Sequence, residues 1–175
     1  MKQKRLARYR AIYEKNAARY TSTENGVKYL QYANLFFTWL YVLAYGSFWL
    51  YALKSTSIPS KDLISVFFAP AFTLILVSAM RLAIDRPRPY SSRGAGITPL
   101  VPKKDRDGDS FPSRHLACAT AIAMTFLPYF PFIGSFLLMT TFALAYVRFS
   151  LGVHYPSDLA VGILVGALCG ITVFI

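Results

Sequence analysis

Five stretches of this chain are apolar over lengths that approach or reach a membrane crossing, roughly 33–53, 62–84, 115–130, 132–150 and 157–175. A helix that spans the hydrocarbon core needs about 20 residues, within a range of about 17–25. The third stretch is the shortest, because Pro128 and Pro131 close it early. The pattern predicts an all-α, polytopic membrane helix bundle of about five transmembrane helices. Charged residues make up 15% of the chain, against about 25% in a soluble domain. At 175 residues with 55% hydrophobic content, the chain fits one membrane-embedded domain and excludes a disordered segment. Two cysteines exclude a disulfide-stapled miniprotein. Cys118 and Cys169 both lie inside apolar runs and read as small membrane-buried side chains.

Residues 1–30 differ from the rest. Eight basic residues fall within 1–28 with no continuous apolar core, whereas a secretory signal needs one. Leu6, Tyr9, Tyr13, Ala17 and Tyr20 recur at helical spacing, with Lys4, Arg5, Arg8, Lys15 and Arg19 between them. This reads as a basic amphipathic helix lying on an anionic membrane face, or more simply as a solvated tail. Asn25-Gly26 breaks it. Residues 31–175 form the embedded domain. Gly162, Gly166 and Gly170, at four-residue spacing, read as a packing stripe that lets helix backbones approach.

With five spans, the N-terminal segment, the long loop from Asp85 to Arg114 and the short loop before Pro156 share one side. That side carries 17 of the 19 basic residues, and only Lys54 and Lys61 lie opposite. The positive-inside rule places it in the cytoplasm, in a protein integral to the cell membrane. The net charge of +11 suits anionic lipid or a phosphorylated substrate, and in a membrane chain it does not indicate nucleic acid.

Arg81 and Arg148 lie at the ends of apolar helices and Asp158 at the start of another. Each alone could be an interfacial anchor, but ionisable groups in such places are costly and usually functional. The two histidines of the chain, His115 and His154, sit beside helix ends on the same face, near these arginines. That set suits phosphoryl transfer without a metal or other cofactor. Guanidinium forks bind phosphate oxygens, one imidazole attacks phosphorus, and the other protonates the leaving group.

The spacing resembles three motifs of the type 2 phosphatidic acid phosphatase superfamily, which includes the vanadium haloperoxidases. Arg81-Leu-Ala-Ile-Asp-Arg-Pro-Arg88-Pro89 is similar to K-x6-R-P, Pro112-Ser113-Arg114-His115 to P-S-G-H, and Arg148-Phe-Ser-Leu-Gly-Val-His154-Tyr-Pro-Ser-Asp158 to S-R-x5-H-x3-D. The resemblance covers about residues 64–175. It implies His154 as the nucleophile of a phosphohistidine intermediate and Asp158 as the group that orients it. It further implies His115 as general acid and then base. Arg81, Arg88, Ser113 and Arg148 would hold the phosphoryl oxygens, together with backbone N–H groups at a helix start. Arg114 replaces the glycine of P-S-G-H and is either an interfacial anchor or a contact to a second headgroup anion. Arg81 stands where the family has lysine, and Val147 where it has serine. The family typically has six spans; here the basic tail stands in place of the first.

The implied function is hydrolysis of a phosphomonoester or diphosphate on a membrane lipid: phosphatidylglycerophosphate, phosphatidic acid or undecaprenyl diphosphate. The alternative is a catalytically silent lipid-phosphate-binding protein of the same fold. The apolar composition opposes a soluble haloperoxidase, and a transporter would not explain the histidine–arginine spacings. Asp105-Arg-Asp107-Gly-Asp109 is a poor calcium loop, with Gly too early and Leu116 at its twelfth position. Lys103, Lys104 and Arg106 read as a solvated loop, with headgroup attraction as the alternative. Gly94 and Gly96 lack the strand–helix frame of a nucleotide site.

The charge asymmetry makes a direct prediction. A membrane-impermeant thiol reagent added to intact cells should label Ser57→Cys and leave Ser92→Cys unmodified. The reverse pattern would put the basic face outside.

Overall fold

Helix boundaries in this protein fall at its backbone breakers. The computed structural model describes residues 2–55, 58–102 and 108–174. Among them are six α-helices: α1 (Lys2–Thr21), α2 (Gly26–Lys54), α3 (Ser60–Ile84), α4 (Arg114–Phe126), α5 (Pro131–Ser150) and α6 (Pro156–Gly170). The last runs on into a 3-10 turn, Ile171–Phe174. Pro131 and Pro156 open α5 and α6, positions where a missing N–H costs nothing and a fixed φ helps. Asp85, left-handed at φ 39°, ends α3. The fold is the expected all-α polytopic bundle. The first span is longer than its sequence pattern indicated, because α2 starts at Gly26, directly after the Asn25 break.

Four helices are long and apolar enough to cross a membrane: α2, the 62–84 part of α3, α5, and α6 with its 3-10 turn. The protein is therefore an integral membrane protein. α4 differs. Its 13 residues rise about 20 Å, short of a hydrocarbon core of about 30 Å. With the turn after it, it runs from the start of α6 to the start of α3 as the axis of the bundle. Leu116, Ala117, Thr120, Ala121, Ala123 and Phe126 are all buried, and its neighbours include α6, α5 and α3. The short apolar run that made this span the weakest in the sequence is thus a core helix. At its far end Tyr129 Oη donates to Asp62 Oδ2 at 3.1 Å, tying the α4–α5 turn to the start of α3.

The glycine stripe of α6 faces α4. A Cβ at Gly166 would lie 2.3 Å from the Ala117 carbonyl oxygen, and one at Gly162 would lie 2.8 Å from the Ser113 carbonyl oxygen. The contact puts helix backbone against helix backbone, so no side chain can yield.

α1 lies across the end of the bundle where α5 stops and α6 starts. Tyr9, Tyr13 and Ala17 are buried there in one apolar cluster with Val147, Leu151, Val153 and Tyr155. Lys4, Arg5, Arg8, Lys15 and Arg19 are exposed on its other face. The apolar face of this amphipathic helix is covered by residues of α2, α5 and the protein's own loops.

Gly166→Ala should therefore destabilise the protein by about 1–3 kcal/mol, the typical cost of overpacking. Gly46→Ala, with nothing within 4 Å of its Cβ position, should be neutral or slightly stabilising. Thermal unfolding of both variants in detergent checks the contrast. Equal stabilities would contradict the close α4–α6 contact.

Candidate active site

The turn between α5 and α6 carries His154 into the interior, 1% exposed. The chain turns at Gly152, whose φ of +74° suits glycine. A Cβ there would also strike the Tyr13 ring at 2.8–2.9 Å. His154 Nδ1 lies 2.8 Å from the Ser110 carbonyl oxygen. A carbonyl has no proton to give, so Nδ1 carries the hydrogen and Nε2 keeps its lone pair. Asp158 Oδ2 stands farther off, 3.6 Å from the same nitrogen.

Asp158 is fully buried and its carboxylate is densely bonded. Oδ2 accepts from the Ser110 hydroxyl and from the Tyr155 N–H at 2.9 Å. Oδ1 accepts from Arg86 Nη1 at 2.6 Å. The Arg86 guanidinium lies 4.5 Å from the centre of the Tyr155 ring and also reaches Ser157 Oγ at 2.8 Å. A lone buried carboxylate would be costly, and this ion pair with its hydrogen bonds offsets the cost. His154 is thus oriented mainly by a backbone carbonyl, with Asp158 beside it and locked in place by Ser110 and Arg86.

Arg81, Arg88 and Arg148 come together from α3, the loop after it, and α5, and all three are buried. Among the described residues Asp158 pairs with Arg86 and Asp85 with Arg93, and the charges of Asp109 and Asp158 attract Arg81 from nearby. Among the described residues the hydrogen bonds of the three arginines go to neutral oxygens. Arg81 and Arg88 both reach the Asp109 carbonyl, Arg88 also reaches the Val153 carbonyl at 3.4 Å, and Arg148 Nη1 reaches Asn34 Oδ1 at 3.0 Å. Among the described residues two buried polar atoms of this site, Ser113 Oγ and Arg148 Nε, have no hydrogen-bond partner. Ser113 is the N-cap of α4, yet its hydroxyl caps nothing. Its backbone N–H donates to the Asp158 carbonyl at 3.0 Å, which joins two of the motifs. Mutually repelling cations next to orphaned donors form a site for an oxyanion.

Next to this cradle lies a cavity of about 240 Å³, lined by Arg88, Arg148, His115 and Asn34 on its polar walls and by Tyr90, Val101, Leu151 and Val153 on its apolar ones. His115, in the first turn of α4, faces it. Arg114 is exposed at the start of α4 and is not part of that lining.

A family model described as the PAP2 superfamily matches residues 62–175, a segment that contains all three motifs. The chain belongs to the PAP2 superfamily. It is 30% identical over 103 residues to a lipid A 1-phosphatase of Rhizobium johnstonii, covering 58% of this chain and 42% of that protein. It is 30% identical over 97 residues to a lipid A 4'-phosphatase of Bacteroides thetaiotaomicron, covering 53% and 43%. The chain thus spans less than half the length of these curated relatives. Among solved structures, Aquifex aeolicus LpxE superposes with a TM-score of 0.60 at 28% identity, covering 81% of this chain and 84% of that one. A PAP2-type phosphatidylglycerolphosphate phosphatase from Bacillus subtilis shares the fold, with a TM-score of 0.57 at 19% identity and 99% and 94% coverage.

Set against the PAP2 motifs, the structure brings His154, Asp158, Arg81, Arg88, Ser113 and Arg148 to one end of the bundle, with His115 on the adjoining cavity. Val147, at the motif's serine position, is buried in the apolar cluster under α1, where a hydroxyl would find little to bond. Three residues escaped the sequence reading. Arg86 lay inside the first motif with no role. Ser110 lay just ahead of the second. Asn34 was a polar residue in an apolar span, and that was its signal. Of the calcium-like run, residues 105–107 lie outside the described residues, as do Lys103, Lys104 and Arg106. The described Asp109 has its carbonyl occupied by arginines. Among the described residues no three His, Cys, Asp or Glu side chains cluster to hold a metal ion.

Burial, reinforced by the Arg148 and Arg88 charges and only partly opposed by Asp158, pushes the His154 pKa down to about 4. Imidazole in an unfolded chain titrates near 6.5, so between about pH 4 and 6.5 the unfolded state binds the extra proton. The contribution of His154 to stability is present above pH 6.5 and is lost as pH falls toward about 4. An NMR titration of labelled histidine should show His154 neutral with its proton on Nδ1 at pH 6. Protonation near pH 6.5 would contradict this environment.

Proposed function

We propose that this protein is a metal-independent lipid phosphate phosphatase working through a phosphohistidine on His154. The observation that carries this reading is the buried arginine trio with two orphaned donors, placed beside a histidine whose Nε2 is left with a lone pair. In the first step Nε2 attacks phosphorus and the bond to the leaving oxygen breaks, with a proton supplied from His115. In the second step His115 takes a proton from water, whose oxygen attacks the phosphohistidine and releases inorganic phosphate. Arg81, Arg88, Arg148, Ser113 and the first N–H groups of α4 bind the charge that develops on the phosphoryl oxygens. Asp158 stabilises the imidazole as it becomes charged.

The substrate class is a phosphomonoester or diphosphate carried by a membrane lipid. Similarity to a lipid A 1-phosphatase and a lipid A 4'-phosphatase supports lipid A among the candidates, beside phosphatidic acid, phosphatidylglycerophosphate and a polyprenyl diphosphate. The basic surplus around the active-site end supports its placement on the cytoplasmic face of the cell membrane, with the exposed basic side of α1 toward anionic headgroups.

The test is release of phosphate by the purified protein in detergent from a panel of lipid mono- and diphosphates. His154→Ala should lower the rate at least ~10³-fold, by analogy with the removal of other nucleophiles. Orthovanadate should inhibit, and chelators should leave the rate unchanged. Binding of lipid phosphates without release from any of them would establish the catalytically silent alternative.

A further inference from the structure

The cavity beside the arginine cradle has a distinctive composition. Its lining includes His115, Arg88 and Arg148 but neither His154 nor Ser113, the residues closest to the reacting phosphorus in the proposed mechanism. It therefore adjoins the phosphoryl position on the side of the general acid, where the leaving group departs. At about 240 Å³ it is larger than a phosphoryl group, so it has room for part of the alcohol as well.

One wall of this cavity comes from α2, which lies outside the region matched by the family model. The residue there is Asn34, half-buried in an apolar helix, one turn after Gln31. Gln31 is committed elsewhere, since its Nε2 donates to the Leu100 carbonyl at 2.7 Å. Asn34 is oriented by chemistry alone. Arg148 Nη1 has only hydrogens to offer, so the atom facing it at 3.0 Å must be Oδ1. The two N–H groups of Nδ2 are then directed away from Arg148, and among the described residues no partner takes them. Asn34 Nδ2 is not among the fully buried atoms that lack a partner, and Asn34 lines the cavity, so its N–H groups are open to that space. An oxygen acceptor in the cavity would accept from them.

Resting on the phosphatase reading above, we propose that the cavity is the leaving-group subsite and that Asn34 reads it. Its Oδ1 holds Arg148 in place for the phosphoryl group. Its amide N–H groups donate to an oxygen on the alcohol side of the scissile bond. The site would favour leaving groups rich in oxygen, such as a glycerol ester or a sugar, over a bare alkyl chain. Asn34 is thus a specificity residue supplied by a helix that carries none of the three motifs.

The experiment compares kcat/KM for a short-chain phosphatidic acid with that for an alkyl monophosphate of matched length, whose leaving group has no oxygen beyond the scissile one. Wild-type protein should prefer phosphatidic acid. In Asn34→Asp the carboxylate can still hold Arg148 but presents only acceptors to the cavity. The preference ratio should fall roughly 10-fold or more, because a site built to hydrogen-bond a substrate discriminates strongly once the donor is gone. Asn34→Ser, too short to reach the leaving group, should shift the ratio in the same direction and covers the case in which the aspartate variant does not fold. A loosened Arg148 acts on the phosphoryl group common to both substrates, so a merely structural role would leave the ratio unchanged. An unchanged ratio in a folded variant overturns the assignment while leaving the phosphatase reading intact. No release from either substrate by wild-type protein overturns both.

Discussion

Three guanidinium groups buried at one end of an apolar bundle repel one another, and much of the surrounding structure offsets that repulsion. Carboxylates would neutralise the arginines, but a neutralised cradle would not bind phosphate. Among the described residues the arginines hydrogen-bond to neutral oxygens: the carbonyls of Asp109 and Val153 and the amide of Asn34. Such partners bond part of the hydrogens, with Arg148 Nε left over, and leave the arginines cationic. The one fully buried carboxylate, Asp158, has its own cation in Arg86. Separate pairing keeps Asp158 from collapsing onto the cradle. It also surrounds His154 with an environment that disfavours its protonation.

Positioning follows from the same economy of partners. The His154 turn is held on several sides at once. Ser110 accepts from the imidazole and donates to Asp158. The α4 N-terminus is tied to the Asp158 carbonyl. From outside, α1 closes the turn: Tyr9 Oη reaches the His154 carbonyl at 3.4 Å, Tyr13 Oη donates to the Thr98 carbonyl at 2.8 Å, and Asn16 Nδ2 donates to Ser150 Oγ at 2.7 Å. The proposed attack by His154 needs its geometry fixed before substrate arrives, and these contacts hold the His154 turn from elements far apart in the chain.

The membrane architecture explains why the bundle tolerates such a site. α4 has almost no surface of its own, and its alanines and threonines let α3, α5 and α6 close around it. The glycine stripe of α6 brings backbones together, so the starts of α4 and α6 lie side by side. That neighbourhood places Ser113 next to the residues following His154.

The sequence by itself determined the membrane-spanning character, the helix starts at Pro131 and Pro156 and the family's three motifs. These signals are local: an apolar run, a proline at a helix start, or a histidine four residues before an aspartate can be read within a short window. It also pointed to His154, Asp158, Arg81, Arg88, Ser113 and Arg148 as one set, and the structure brings them to one end of the bundle. Only the tertiary structure decided the partners. Arg86 meets Asp158 across 72 residues, Ser110 meets His154 across 44, Asn34 meets Arg148 across 114, and Tyr9 meets the His154 carbonyl across 145. No periodicity encodes such pairs, because each depends on how whole helices pack. The same holds for α1. Its amphipathic pattern foretold one apolar face, but whether lipid or protein would cover that face depended on the apolar cluster under α1 and on where α5 happens to end.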